Sequence, residues 1–179
     1  MSERQIFGFE YQKHFCKKHN LIENSNYTDE FDAFSKTGLK YQIKTYKTGN
    51  ELMMADPFRY LKNNENFVLV IAERSDNNKI INETQLLIKN SKLKIFFEKN
   101  NFQKRAEFCK NLLNSITNNY SDDFYFKEQM KIERRERKNS ILNMQAKRDH
   151  KKQKRVQWSI PNRYIKAFCD CFEKYETRN

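Results

Sequence analysis

Glu30-Phe31-Asp32-Ala33-Phe34-Ser35-Lys36-Thr37-Gly38-Leu39-Lys40-Tyr41-Gln42-Ile43-Lys44-Thr45-Tyr46-Lys47 reads as two strands around a turn. Gly38 supplies the positive φ that a tight turn at Thr37-Gly38 needs. Pairing centred on residue 37 sets Asp32 across from Gln42. Side chains alternate along a strand, so Gln42 and Lys44 share one face and Tyr41, Ile43 and Thr45 take the other. A carboxylate, an amide oxygen and an ammonium then converge on one patch.

Such a patch suits a hard cation. Magnesium takes oxygen ligands and is commonly held by one or two carboxylates, with waters and substrate phosphate completing the shell. Asp32 supplies the charge, Gln42 a neutral second oxygen, and Lys44 a compact cation that orients water or balances charge on a phosphate. A further acid stands at Glu10, in a segment that reads as a helix from Arg4 to His19. On a helical wheel Ile6, Phe7, Glu10, Tyr11 and His14 fall in one arc, with Phe9 and Cys16 nearly opposite. A carboxylate in an apolar arc is costly to bury without a partner, and otherwise it lies at the edge of the face and reaches solvent. Glu51, just past the hairpin, is a reserve acid.

A helix carrying Gly8-Phe9-Glu10, followed by Asp32 and then Gln42-Ile43-Lys44, resembles the PD-(D/E)XK nuclease superfamily. The likeness is to the restriction-endonuclease-like variant in which Gln replaces the second acid (Gln-x-Lys). It spans roughly residues 1–75, and it departs from the pattern in having Phe31 rather than Pro before Asp32 and an uncharged Gln42. The resemblance implies an α/β fold with a central mixed β-sheet flanked by helices. It also implies Mg2+ as cofactor, with Glu10 as the first-helix acid, Asp32 as the metal-binding acid, Gln42 as the neutral ligand and Lys44 as the catalytic lysine. The implied activity is endonucleolytic cleavage of double-stranded DNA, with a type II restriction enzyme as the setting. Homing endonucleases and Holliday-junction resolvases use a similar core. An RNA-directed nuclease and a non-catalytic nucleic-acid-binding protein are the remaining readings.

Charge is unevenly spread over the 179 residues: 1–126 carry 19 Lys/Arg against 16 Asp/Glu, whereas 127–179 carry 16 against 7. The last third therefore supplies +9 of the total +12. Lys127–Lys138 reads as a helix with acids and bases at i,i+3 and i,i+4 spacing. Lys147, Arg148, Lys151, Lys152, Lys154 and Arg155 form a basic run of the kind that attracts phosphate backbones through counterion release. Gln157, Ser159, Asn162 and Arg163 follow, with side chains able to read base edges. The expected organisation is a nuclease core over 1–120 and a basic helical nucleic-acid-binding or recognition region over 121–179, either as an appendage or within one compact domain. A palindromic target would call for a homodimer.

The remaining segments read as scaffold. Gly49–Ala55 looks like a loop, and Asp56-Pro57 starts a short helix with Asp56 as its cap. Phe67–Ala72 is a continuous apolar run, as in a strand covered on both faces. Ile80–Lys89 and Leu93–Glu98 read as a hairpin, and Phe102–Ile116 as a helix with Phe102, Ala106, Cys109 and Leu113 on one stripe. Thr117–Asp123 is loop-like, and Ser159 with Pro161 reads as the start of a final helix. Cys16, Cys109, Cys169 and Cys171 are too scattered for a disulfide framework, and with His14 and His19 they show no regular zinc spacing. No stretch approaches the ~20 apolar residues of a membrane span, and no signal-like run opens the chain. A soluble, cytoplasmic protein is expected.

Overall fold

The computed structural model describes residues 3–24, 31–116, 120–136, 140–148 and 154–177. Helix α1 (Glu3–Lys18) leads into strands β1 (Ile22–Glu23), β2 (Ala33–Phe34), β3 (Lys40–Lys47) and β4 (Leu52–Ala55). Helix α2 (Pro57–Lys62), strands β5 (Phe67–Arg74) and β6 (Ile80–Ile88), and helices α3 (Asn90–Lys99), α4 (Phe102–Ser115) and α5 (Tyr120–Glu136) follow. The chain ends in strands β7 (Asn143–Arg148) and β8 (Lys154–Ile160), a 3-10 turn, helix α6 (Ile165–Cys169) and strand β9 (Glu173–Lys174). Among the described residues no helix is long and apolar enough to cross a membrane.

Two sheets result. The larger is mixed, in the order β1-β2-β3-β5-β6-β9, and the smaller runs β4-β8-β7. Among the described residues only β3 and β5 pair parallel, with Gln42 beside Leu69 and Lys44 beside Ile71. A parallel pair needs a crossover, and here the segment between β3 and β5 carries β4 and α2. Asp56 caps α2 by accepting from the Phe58 amide at 2.9 Å, and Pro57 fills the first turn, where its missing N–H costs nothing.

The core has two compartments because β5 buries both faces. Val68, Val70 and Ala72 join Tyr11, Phe15, Cys16, Tyr41 and Ile43 under α1. Phe67, Leu69 and Ile71 face the larger cluster, built with Trp158 and Ile160 of β8 and with α3, α4 and α6. The hydrophobic residues of the C-terminal third thus share one core with those of residues 31–116. Arg105 of α4 and Glu133 of α5 form a buried ion pair at 2.5 Å, and Arg105 also donates to the Ser140 hydroxyl at 2.8 Å and the Leu142 carbonyl at 3.2 Å.

The expected mixed sheet with flanking helices is present, as are α1, α2, β5 and α4. Several expectations need correction. The C-terminal region is helical over α5 and the short α6, but β7 and β8 occupy its middle; Val156, Trp158 and Ile160 alternate inward along β8, which makes it a half-buried strand. Ser159 therefore lies in β8 and caps no helix. Residues 52–55 form β4, an edge strand paired antiparallel with β8, rather than a loop. Leu93–Glu98 belongs to α3, whose Leu93, Phe96 and Phe97 pack inward at helical spacing, and the hairpin partner of β6 is β5. Helix α5 already begins within the expected 117–123 loop, whose first three residues lie outside the described residues.

Because Arg105 is 4% exposed and Glu133 2%, removing one partner strands the other charge. Arg105→Ala should cost about 3–5 kcal/mol in urea unfolding, while the paired change Arg105→Met with Glu133→Leu should cost far less. A single variant as stable as the parent protein would refute this account of how α4 and α5 are joined.

Candidate functional site

The hairpin forms in the expected register: Ala33 pairs with Tyr41 and Phe34 with Lys40. That register sets Asp32 beside Gln42. The turn closes through Ser35, whose amide donates to the Leu39 carbonyl at 2.8 Å and whose hydroxyl accepts from the Leu39 amide at 3.0 Å. Gly38 has φ +83°, a conformation that side chains disfavour.

Asp32 and Lys44 come together. The Ile43 amide donates to Asp32 Oδ2 at 2.6 Å, and Lys44 Nζ lies 3.9 Å from the same oxygen. Both side chains are partly exposed, at 27% and 20%, so the pair opens to solvent at the sheet's edge. The backbone behind it is tied down: the Asp32 amide donates to the Tyr41 carbonyl at 2.8 Å, and Gln12 of α1 donates through Nε2 to the Asp32 carbonyl at 3.3 Å. The carboxylate is also felt inside α1. Burial, reinforced by the Glu23 and Asp32 carboxylates, pushes the Cys16 thiol up to about 12.

Gln42 shares the Lys44 face but is buried at 7% exposure, in a crevice with Phe31, Arg59, Tyr60 and Phe67. Tyr60 of α2 donates its hydroxyl to Gln42 Oε1. Nothing in the sequence pointed to Tyr60; only the crossover brings α2 over this face. A carbonyl oxygen has two lone pairs, so the bond to Tyr60 leaves one for another partner.

Glu10 stands apart. The buried side of α1 is Tyr11, Gln12, Phe15 and Cys16 rather than the expected arc, and Ile6, Glu10 and His14 are exposed. Helix α1 covers the Tyr41 and Ile43 face, opposite that of Gln42 and Lys44. No hydrogen bond or ion pair among the described residues links Glu10 to Asp32, Gln42 or Lys44. Glu51 is engaged elsewhere: Asn143 donates to its Oε1 and Ser159 to its Oε2, each at 2.6 Å, which ties the β3–β4 connection to β7 and β8.

Among the described residues no group of three or more His, Cys, Asp or Glu side chains is arranged to hold a metal ion. The donor set at the hairpin is one carboxylate with its Oδ1 left to a ligand, plus one half-engaged amide oxygen. That set fits magnesium only in the mode where waters and substrate phosphate supply most of the shell. The four cysteines are free thiols.

The basic residues fall into two groups. Lys154 and Arg155 are exposed at the start of β8, with Lys147 across from Arg155 on β7; Asn162 and Arg163 are exposed on the 3-10 turn, where the Arg163 guanidinium lies 4.7 Å from the Tyr164 ring centroid. Ser159 is buried with its hydroxyl turned to Glu51, and Gln157 is half-buried. Lys151, Lys152 and the Arg148 side chain lie outside the described residues. No model of a known protein family matches the chain, and no curated protein is significantly similar to it.

Removing the Tyr60 hydroxyl leaves a buried Gln42 acceptor without its donor. Tyr60→Phe should lower stability by about 1–3 kcal/mol, read by urea unfolding. A Tyr60→Phe variant at parental stability would show that Gln42 relaxes to another partner.

Proposed function

We propose that the chain is a magnesium-dependent endonuclease that hydrolyses phosphodiester bonds in double-stranded DNA, with a type II restriction enzyme as its setting. The observation that carries this reading is the Asp32 carboxylate set 3.9 Å from the Lys44 ammonium on an open strand edge, with Gln42 on the same face. The resemblance to the PD-(D/E)XK superfamily rests on those residues and on Glu10. The concentration of positive charge in residues 127–179 supplies a reason for a polyanion to bind.

In this reading Asp32 and Gln42 would hold Mg2+, and the ion would supply an activated water and polarise the phosphate; Glu10, exposed on the helix over the opposite face of β3, is left out of that set. The Ile43 amide fixes the orientation of the Asp32 carboxylate before substrate arrives, which spares a reorganisation during reaction. Lys44 would orient the attacking water or balance charge growing on the phosphate. A non-catalytic DNA-binding protein is the second reading, favoured by the single carboxylate at the hairpin and by the Tyr60 bond to Gln42.

Digestion of a long duplex DNA with Mg2+, followed by sequencing of the ends, separates these readings. Discrete fragments are expected, and EDTA should abolish them. Lys44→Ala should lower cleavage by at least about 10²-fold, the scale of one electrostatic stabiliser, while leaving DNA binding nearly intact. Asp32→Asn should do the same without unfolding, because an amide oxygen still accepts from Ile43. If neither duplex DNA nor RNA is cut across several divalent metals, the catalytic reading fails for those substrates.

A further inference from the structure

Strands β7 and β8 fold the basic run back on itself, placing Lys147 opposite Arg155 and Arg148 opposite Lys154. Like charges directly across a strand pair repel each other. A polyanion laid over the pair converts that repulsion into binding, so this arrangement is favourable mainly when a ligand is present.

Lys154 and Arg155 also border a cleft of about 420 Å3 between α2, α4 and β8, whose other walls include Arg59, Lys110 and Asn114. Four cations from three elements therefore face one volume large enough for a nucleotide unit. Asp56, the one acid among the described lining residues, already accepts from the Phe58 amide as the α2 cap. The cations are held in place. Lys110 Nζ sits 5.1 Å from the Phe58 ring centroid, and Lys154 Nζ donates to the Ile116 carbonyl at 2.9 Å.

Two further observations point to what enters the cleft. Gln157 lines it, and its side-chain oxygen is buried without accepting a hydrogen bond. Buried acceptors are almost always satisfied, so an amide that swings out to accept from a base amine gains a bond it lacks at rest. Arg59 borders both this cleft and the crevice of Gln42 and Tyr60. The cleft therefore adjoins the Gln42 crevice at the Arg59 side chain.

We infer that the cleft of Arg59, Lys110, Lys154 and Arg155 is the channel for the DNA strand flanking the scissile phosphate, with Gln157 reading a base edge beside it. The choice of DNA rests on the nuclease reading; the channel itself rests on the charges and the cleft.

The test uses the full chain and a short fluorescein-labelled duplex in EDTA, where a metal-dependent nuclease binds without cutting. Lys110→Gln with Arg155→Gln removes two cleft cations, and Lys13→Gln with Lys17→Gln removes equal charge from the exposed side of α1. All four side chains are exposed, and circular dichroism checks that the fold persists. Each phosphate contact contributes about 0.9 to the slope of log affinity on log salt. The cleft pair should therefore lower that slope by about 2, and the α1 pair should leave it unchanged. Gln157→Ala should keep the parental slope but alter the preference among duplexes differing at one base pair.

An unchanged slope in the cleft pair overturns the channel even if the parent protein cuts DNA. An equal loss in the α1 pair overturns it too, because the effect would be that of a diffuse field. Tighter binding to an RNA duplex of the same sequence overturns the assignment to DNA. If the cleft pair loses its slope while the parent protein never cuts, the channel stands and the nuclease reading falls.

Discussion

The fold depends on one strand that leaves no face to water. Phe67 through Ala72 are all buried, alternating between two hydrophobic clusters. Hydrophobic burial is roughly proportional to area, so such a strand is stable only between two covering layers. Helix α1 provides one; the β4-β8-β7 sheet with α3, α4 and α6 provides the other. The parallel neighbour β3 then requires a crossover, and the short α2 within it falls across the inner face of β3. Tyr60 and Arg59 reach the Gln42 crevice for this reason alone. The chemistry proposed at the hairpin and the cleft inferred beside it are both consequences of where a buried parallel pair sends its connection.

Much of this was legible wherever a local signal carried its own geometry. Gly38 fixed the turn and hence the register, and the alternation along residues 41–46 separated the two faces of β3. Asp56-Pro57 marked α2, and the apolar run at 67–72 could only be a covered strand. The stripe of Phe102, Ala106, Cys109 and Leu113 gave the buried side of α4. The strands β7 and β8 were hidden by their charge, because Lys147, Arg148, Lys154 and Arg155 dominate a stretch whose inward residues are Leu142, Met144, Ala146, Val156, Trp158 and Ile160. The period of two was present but lay beneath the basic run. The wrong arc of α1 had another cause: the helix docks on the side of Phe7, Tyr11 and Phe15, which leaves Ile6, Glu10 and His14 exposed although Ile6 and Phe7 lie on one apolar arc. The contacts of Tyr60 and Arg59 had no local signal at all, being set by tertiary docking.

Charge and burial are kept on separate surfaces. The buried ion pair of Arg105 and Glu133 joins α4 to α5 inside the core, where unpaired charge would be costly. The excess cations are placed instead on β7, β8 and the following turn, most of them exposed. At ~0.1 M salt the screening length is about 10 Å, longer than the spacing of directly opposed side chains on paired strands. Neighbours in the basic hairpin therefore still repel each other, at roughly half strength, in physiological salt. In the proposed reading, a phosphate backbone running over them would relieve that repulsion as well as releasing counterions.

The neutral residue at position 42 follows from the same geometry. Gln42 sits on the inner face of β3, 7% exposed, against Phe31, Tyr60 and Phe67. A carboxylate there would lose most of its hydration, and desolvation disfavours its charged form. It would also stand beside Asp32, adding like-charge repulsion. An amide avoids both costs, and Tyr60 donates to its carbonyl oxygen. Asp32 escapes the penalty because it lies at the sheet edge, partly exposed, with the Ile43 amide and the Lys44 ammonium supporting its charge. Burial thus favours a neutral residue at position 42: the crossover helix closes over that side chain, whereas the Asp32 position, left partly open to solvent, accommodates a negative charge.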